Sequence, residues 1–425
     1  MKILKIFIKE SFIQWLVILI ALSYFLFPYF PNISFEFFGK PFFITQILLI
    51  TAVLLFGLKQ LIERKIYWPS LFNYLIIFSG ILFLSTLINN GPFFKASFSL
   101  FSLLAVTYLF SFLQQEYLGK FFKVFAWFTI TAAILGILQF YIGDFTYIAK
   151  YFGYEETTYF ATGFTNYPSL FGLHLAIALP LFLVFFIYSS KNERKTWLLT
   201  FFLSAIALLL TFSRGAWLAL FVSFIFLFII TPSSYRRKLT TYSVVALFLV
   251  ILVFYLPFKK GAGNYEYGAG KSSTQIAKEV VFNPGHFSVR SRYAFLVAAK
   301  DMVFQSPQTF LIGLGHKGFE KNWREFRPDI ENIEWRDEVN SHSTYLAALT
   351  SGGIFGLLPL LIFIYLIFRG LMRIKDENYL ALSLVGIMTA ILVDGLFHDF
   401  LFTKYLWIFA GISLAIIKNY ENQSV

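Results

Sequence analysis

Five side chains in this sequence pair a charge or a titrating ring with apolar surroundings: His174, Arg214, His342, Asp394 and His398. An ionisable group in such a setting is costly and asks for a function. Arg214 lies in the stretch 211–217, TFSRGAW, a tight turn with almost no loop between two apolar runs. A guanidinium fixed there has two readings: a snorkelling arginine at a helix end, or a planar fork held ready for the oxygen pair of a pyrophosphate. His342 stands where an apolar run begins, within reach of both water and lipid headgroups. Taken alone it reads as a capping or interfacial residue. Arg290 and Arg292 belong to a polar segment, where each alone reads as part of a solvated helix face.

The elements that must position these groups are apolar throughout. Of 425 residues, 58% are hydrophobic and only 14% charged, with mean hydropathy +0.70, which excludes an ordinary soluble chain. Apolar runs long enough to cross a bilayer are expected at 11–30, 42–62, 69–88, 93–113, 121–142, 166–188, 196–213, 215–231, 240–257, 343–368, 377–397 and 403–418. None alternates as a barrel strand would, so all twelve are expected to be helices. Lys2, Lys5 and Lys9 precede the first, whose apolar stretch exceeds a signal-peptide core, so it is expected to be a retained helix. The expected division is transmembrane helices 1–9 over 1–257, an extracytoplasmic lid over 258–341, and helices 10–12 over 342–425. Within the lid, 288–304 reads as one amphipathic helix, and 305–320 is broken by Pro307, Gly313, Gly315 and Gly318.

Threaded alternately from a cytoplasmic N-terminus, the short outer connections carry only Lys40, Lys95, Lys150, Arg214 and Lys404, against eighteen Lys and Arg inside. The positive-inside rule then places both termini in the cytoplasm and the 258–341 segment outside. On this threading His174, Arg214, His342, Asp394 and His398 all lie near outer helix ends, so the polar interior opens outward. The net charge of +12 resides in topology signals and headgroup contacts, and nucleic acid is not an expected partner. No cysteine is present, which excludes disulfides and thiolate chemistry. Gly313-Leu314-Gly315-His316-Lys317-Gly318 fits G-x-G-x-x-G but has no βαβ unit around it, so a dinucleotide site is discounted. No metal-ligand spacing is visible, and neither metal nor cofactor is expected.

The Ser213-Arg214-Gly215-Ala216-Trp217 turn, the lid stretch from Arg292 through Met302 and Pro307 to Gly313-x-Gly315-x-x-Gly318-Phe319, and His342-Ser343-x-Tyr345-Leu346 followed by Gly352-Gly353-x-x-Gly356 together resemble the O-antigen ligase superfamily. That superfamily also holds O-antigen polymerases and protein O-oligosaccharyltransferases. The likeness covers about residues 160–370. Leu296 stands where the lid helix often has an aromatic, and Ser351 where an acidic residue is usual.

The resemblance implies an all-α, GT-C-like membrane enzyme of the bacterial inner membrane with its active site facing the periplasm. It implies inverting, metal-independent transfer of a glycan from undecaprenyl pyrophosphate to a hydroxyl of lipid A-core. Arg214 and Arg292 would hold the pyrophosphate, with Arg290 the substitute if the lid register differs, and His342 would be the general base. His174, Glu338, Asp394 and His398 are secondary candidates. Trp323, Trp335 and Tyr345 are candidates for stacking on sugars, with lid-core packing the competing role for the tryptophans. Polymerase and protein glycosylation are the alternatives within the superfamily; a polysaccharide or lipid transporter is the alternative of another class.

Overall fold

A computed structural model describes residues 9–26, 34–37, 40–64, 68–142, 161–164, 168–233, 235–237, 240, 244, 287–329 and 339–423. It is helical apart from one antiparallel hairpin, β1 (Ser34–Phe37) and β2 (Lys40–Phe43), with Ser34 opposite Phe43. The helices are α1 (Glu10–Leu26), α2 (Ile44–Glu63), α3 (Phe72–Ile88), α4 (Phe93–Phe110), α5 (Gln115–Ile142), α6 (Pro168–Tyr188), α7 (Lys191–Leu210) and α8 (Arg214–Ile230). They continue with α9 (Phe287–Phe304), α10 (Pro307–Ile312), α11 (Gly318–Phe326), α12 (Thr344–Ile374), α13 (Tyr379–Asp394) and α14 (Lys404–Gln423).

Five of these, α2, α4, α5, α6 and α12, are long and apolar enough to cross a membrane, and α1, α3, α8 and α13 are shorter apolar helices. The chain is a multi-pass membrane protein. The expected run at 240–257 lies almost entirely outside the described residues. Large apolar side chains such as Leu54, Trp127 and Phe221 face outward from the bundle, as lipid-facing residues do.

α6 is the axis of the bundle, buried from Phe171 to Ile187, with α7, α8 and α13 packed around it. Pro168 starts it, where a missing amide hydrogen costs nothing. In lipid, apolar surfaces gain little by meeting each other, so close packing has to hold the helices. Small residues supply it. A Cβ on Gly386 would lie 2.8 Å from Pro180 of α6 and 2.9 Å from Leu227 of α8, and Ser223 donates to the Gly386 carbonyl at 2.8 Å. Gly352 likewise lets α12 approach Leu82 of α3, and Gly411 lets α14 approach Thr107 of α4.

Helices joined by short turns double back on each other, so the polar ends collect in two layers. One layer holds Tyr188, whose ring meets those of Tyr235 and Tyr379, and the ion pair of Lys59 with Glu10. The other holds Arg214, His342, Asp394 and His398, and here α9, α10 and α11 sit on the bundle. α9 and α11 enclose a small core of their own, built from Ala294, Phe295, Ala298, Met302, Phe319 and Trp323.

α12 is unwound at Gly353 (φ 60°, ψ −163°). That break frees the carbonyls of Thr350 and Ser351, which accept from the amides of Leu314 at 2.8 Å and Gly315 at 3.0 Å. The same segment is tied to α3, because Asn89 donates to the Gly313 carbonyl at 3.2 Å and the His316 amide donates to Thr86 Oγ1 at 2.8 Å. The G-x-G-x-x-G stretch is thus a docking seam between α10–α11 and the bundle. Its glycines are required, since a Cβ on Gly313 would lie 2.6 Å from the amide nitrogens of Gly352 and Gly353.

Candidate active site

The turn that carries Arg214 is built by its neighbours. Thr211 closes α7 through its hydroxyl on the Leu208 carbonyl, Phe212 takes φ 51°, and Ser213 donates its amide to Thr211 Oγ1. Trp217 then reaches back, its indole N–H donating to the Leu208 carbonyl at 3.0 Å, and clamps the start of α8 to the end of α7. Arg214 is thereby held at the first position of α8, half-buried.

Gly215 brings that helix start against α13. A Cβ there would fall 2.6 Å from Asp394 Oδ1 and 3.1 Å from His398 Cε1. Asp394 is fully buried and is the last residue of α13. Its Oδ1 lies 3.0 Å from His398 Nδ1, four residues on, while Oδ2 has no hydrogen-bond partner among the described residues. A buried carboxylate at the start of α8 is favoured by that helix's positive end. The His398 carbonyl in turn accepts from the Thr344 amide and hydroxyl, which ties the α13–α14 turn to the start of α12.

His342 stands just before α12 in the left-handed region, φ 46°, with its amide donating to Asn340 Oδ1 at 3.2 Å. Such a backbone is uncommon for a residue other than glycine and persists only where its surroundings hold it. Here Ser341 and Ser343 are both buried and hydrogen-bonded around it, and its imidazole stacks on Phe295 of α9. The ring centroids are 5.0 Å apart and the planes 10° from parallel.

Phe295 is three residues after Arg292, so both lie on one face of α9. Burial lowers the pKa of Arg292 first, the neighbouring Arg214 guanidinium lowers it further, and the Asp394 carboxylate raises it. Starting from an ordinary value so far above neutrality, it stays charged. His342 is pushed down to about 4, chiefly by burial and then by Arg292 and His398. It is therefore a neutral imidazole at pH 7, able to accept a proton.

Arg214, Arg292, His342, Asp394 and His398 are thus brought together from four separate stretches of chain. Two guanidiniums, Arg214 close enough to depress Arg292, beside a neutral imidazole make a place where an anionic oxygen cluster can be stabilised next to a group able to accept a proton. Arg290, two residues before Arg292, is turned about 200° round α9 from it at the helical 100° per residue. The charges that reach His342 are those of Arg292 and His398.

Residues 199–361 match the family model for O-antigen ligase. The superfamily resemblance drawn from the motifs is borne out over this stretch. It runs from α7 to the middle of α12 and takes in Arg214, Arg290, Arg292 and His342, while Asp394 and His398 lie beyond it. No curated protein matches the chain.

Other candidates fall elsewhere in this O-antigen ligase-like chain. His174 is 1% exposed in α6, its ring nitrogens near Thr129 Oγ1 (2.9 Å) and Tyr405 Oη (3.3 Å), and it is boxed by Phe25, Phe125 and Phe128. None of these partners belongs to the cluster, so His174 is a satisfied core histidine. Trp323 is wholly buried against Phe295 and Phe319, and the Tyr345 hydroxyl donates to the Leu392 carbonyl at 2.9 Å. Both are committed to packing. Glu338 and Trp335 lie outside the described residues. The aromatic of α9 that serves the site is Phe295, one position before the exposed Leu296. The sequence signal for it was its spacing of three from Arg292.

Proposed function

We propose that this protein transfers a glycan from undecaprenyl pyrophosphate to an acceptor hydroxyl, as an O-antigen ligase acting on lipid A-core at the periplasmic face. The observation that carries this reading is the convergence of Arg214 and Arg292 beside a neutral His342 at one end of the bundle. A lipid pyrophosphate is already a good leaving group, and its departure concentrates negative charge on oxygens that a pair of fixed guanidiniums can stabilise. His342 takes the acceptor proton as the acceptor oxygen bonds to the anomeric carbon. The bond from that carbon to the phosphate oxygen breaks, and undecaprenyl pyrophosphate leaves with the electron pair. The new bond forms on the face opposite the leaving group, so configuration inverts.

On this reading the segment 258–341 is a periplasmic lid and both termini are cytoplasmic. Residues 1–257 and 342–425 then supply the twelve membrane helices of a GT-C-like enzyme. The test is deletion of the gene in its own host, followed by gel analysis of lipopolysaccharide. Loss of the whole polymer ladder with accumulation of carrier-linked polymer supports ligation. A surviving band of core plus one repeat would instead assign the chain to polymerisation, and an unchanged ladder would refute both.

A further inference from the structure

The turn 398–402 has two sides. His398 faces Asp394 and His342, whereas Asp399 and Phe402 face the start of α11, where a second polar cluster takes no part in the chemistry described above. His316 is its centre. The residue is 2% exposed, its ring meets Phe402 edge-on at 4.5 Å, and its Nδ1 has no hydrogen-bond partner among the described residues. Lys317, Lys321 and Lys95 all stand near enough to depress its protonation, and with burial they bring its pKa down to about 4.

Cation outweighs anion here. Lys317 is engaged by Glu320 at 2.7 Å, but neither Lys95 nor Lys321 is in an ion pair among the described residues. The Lys321 ammonium lies 3.2 Å from where a Cβ on Gly91 would stand. The opposing carboxyl of Asp399 is raised to about 6, chiefly by burial, so near neutrality it is still mostly ionised and, with Glu320, offsets part but not all of the charge of the three lysines. α11 begins just after Lys317, which makes no side-chain capping bond, so the positive end of a nine-residue helix adds to the field. A buried imidazole with an unused nitrogen, two ammonium groups outside any ion pair among the described residues and an uncapped helix start all suit one ligand chemistry, a phosphate group.

We propose that Lys95, Lys321 and His316 bind a phosphate carried by the acceptor glycolipid. This rests on the ligase reading, which places the donor pyrophosphate on Arg214 and Arg292. A base between donor and acceptor needs the acceptor to approach from the other side, and the 398–402 turn puts the second cluster there. His316 donates from Nδ1–H, and the two lysines neutralise the charge.

The test is equilibrium binding of purified phosphorylated lipid A-core to the full-length protein in phosphatidylcholine nanodiscs. Lys95→Gln/Lys321→Gln should weaken binding by about tenfold or more, as the loss of charge-assisted hydrogen bonds implies. Arg214→Gln/Arg292→Gln should leave it within about twofold, and the enzymatically dephosphorylated glycolipid should bind wild type as weakly as the lysine variant does. Thermal unfolding of each variant checks that it is folded. Unchanged binding in a folded lysine variant, or tight binding of the dephosphorylated glycolipid, would overturn the proposal. So would displacement by phosphatidylglycerol added to the discs, since the cluster would then hold an ordinary lipid headgroup. Binding is read without turnover, so a protein that binds phosphorylated glycolipid through the lysines but forms no product refutes the ligase reading and leaves the site standing.

Discussion

The His342 imidazole lies face to face with the Phe295 ring, 5.0 Å away and 10° from parallel. This contact places the proposed proton acceptor beside Arg292 and, by burying the ring, helps keep it neutral.

Phe295→Leu keeps most of the apolar volume against Phe319 and Trp323 but removes the flat support. We expect kcat to fall by about tenfold, less than the 10²–10⁴-fold that a general base supplies outright, since the imidazole itself remains. The pH profile should move too. Neutral imidazole is the active form, so the wild-type rate should hold from neutrality downward and fall only as pH drops through about 4. With more water at the ring, the acid limb of the variant should shift up toward the ordinary 6.5. A rate-pH profile on both proteins decides it, and an unmoved limb in the variant would show that Phe295 does not shield His342.

Arg214→Ala and Arg292→Ala should each abolish detectable transfer. Lysine at either position should restore little, because a point charge cannot replace a two-pronged donor. Donor Kd and kcat measured on the lysine variants check this. Near-normal values would reduce the arginines to charge anchors.

Gly353→Ala should loosen the seam between α10 and α12, since its Cβ would stand 2.4 Å from the Leu311 carbonyl and its φ is +60°. Backbone strain of this kind costs about 1–3 kcal/mol, so thermal unfolding in detergent should begin at a lower temperature. Gly80→Ala, where a Cβ meets nothing within 4 Å, is the control and should be neutral or mildly stabilising.

The membrane helices were legible because runs of apolar residues in lipid have one way to satisfy their backbone. The amphipathic segment 288–304 was legible too, and appears as α9 over Phe287–Phe304. The meaning of Gly313-x-Gly315 was not. Its amides find the carbonyls of Thr350 and Ser351 only because Gly353 breaks α12, and no local pattern announces a pairing across that distance in sequence. His174 shows the opposite failure. The rule that singled out Asp394 and His398 singled it out equally, since a charge-capable residue in an apolar run looks the same whether its partners are Thr129 and Tyr405 or an active site. Phe295 was hidden by one residue, because aligning motifs pointed to Leu296 while the helix face of Arg292 points to Phe295.

The most direct test of the whole account is His342→Ala in purified protein, with donor affinity and single-turnover transfer measured on the same preparation. If donor recognition rests on Arg214 and Arg292 as proposed, carrier-linked glycan should bind with unchanged affinity while transfer slows by about 10²–10⁴-fold, the usual worth of a general base. Transfer at the wild-type rate, or loss of donor binding with the protein still folded, would contradict the role of His342 as the group that takes the acceptor proton.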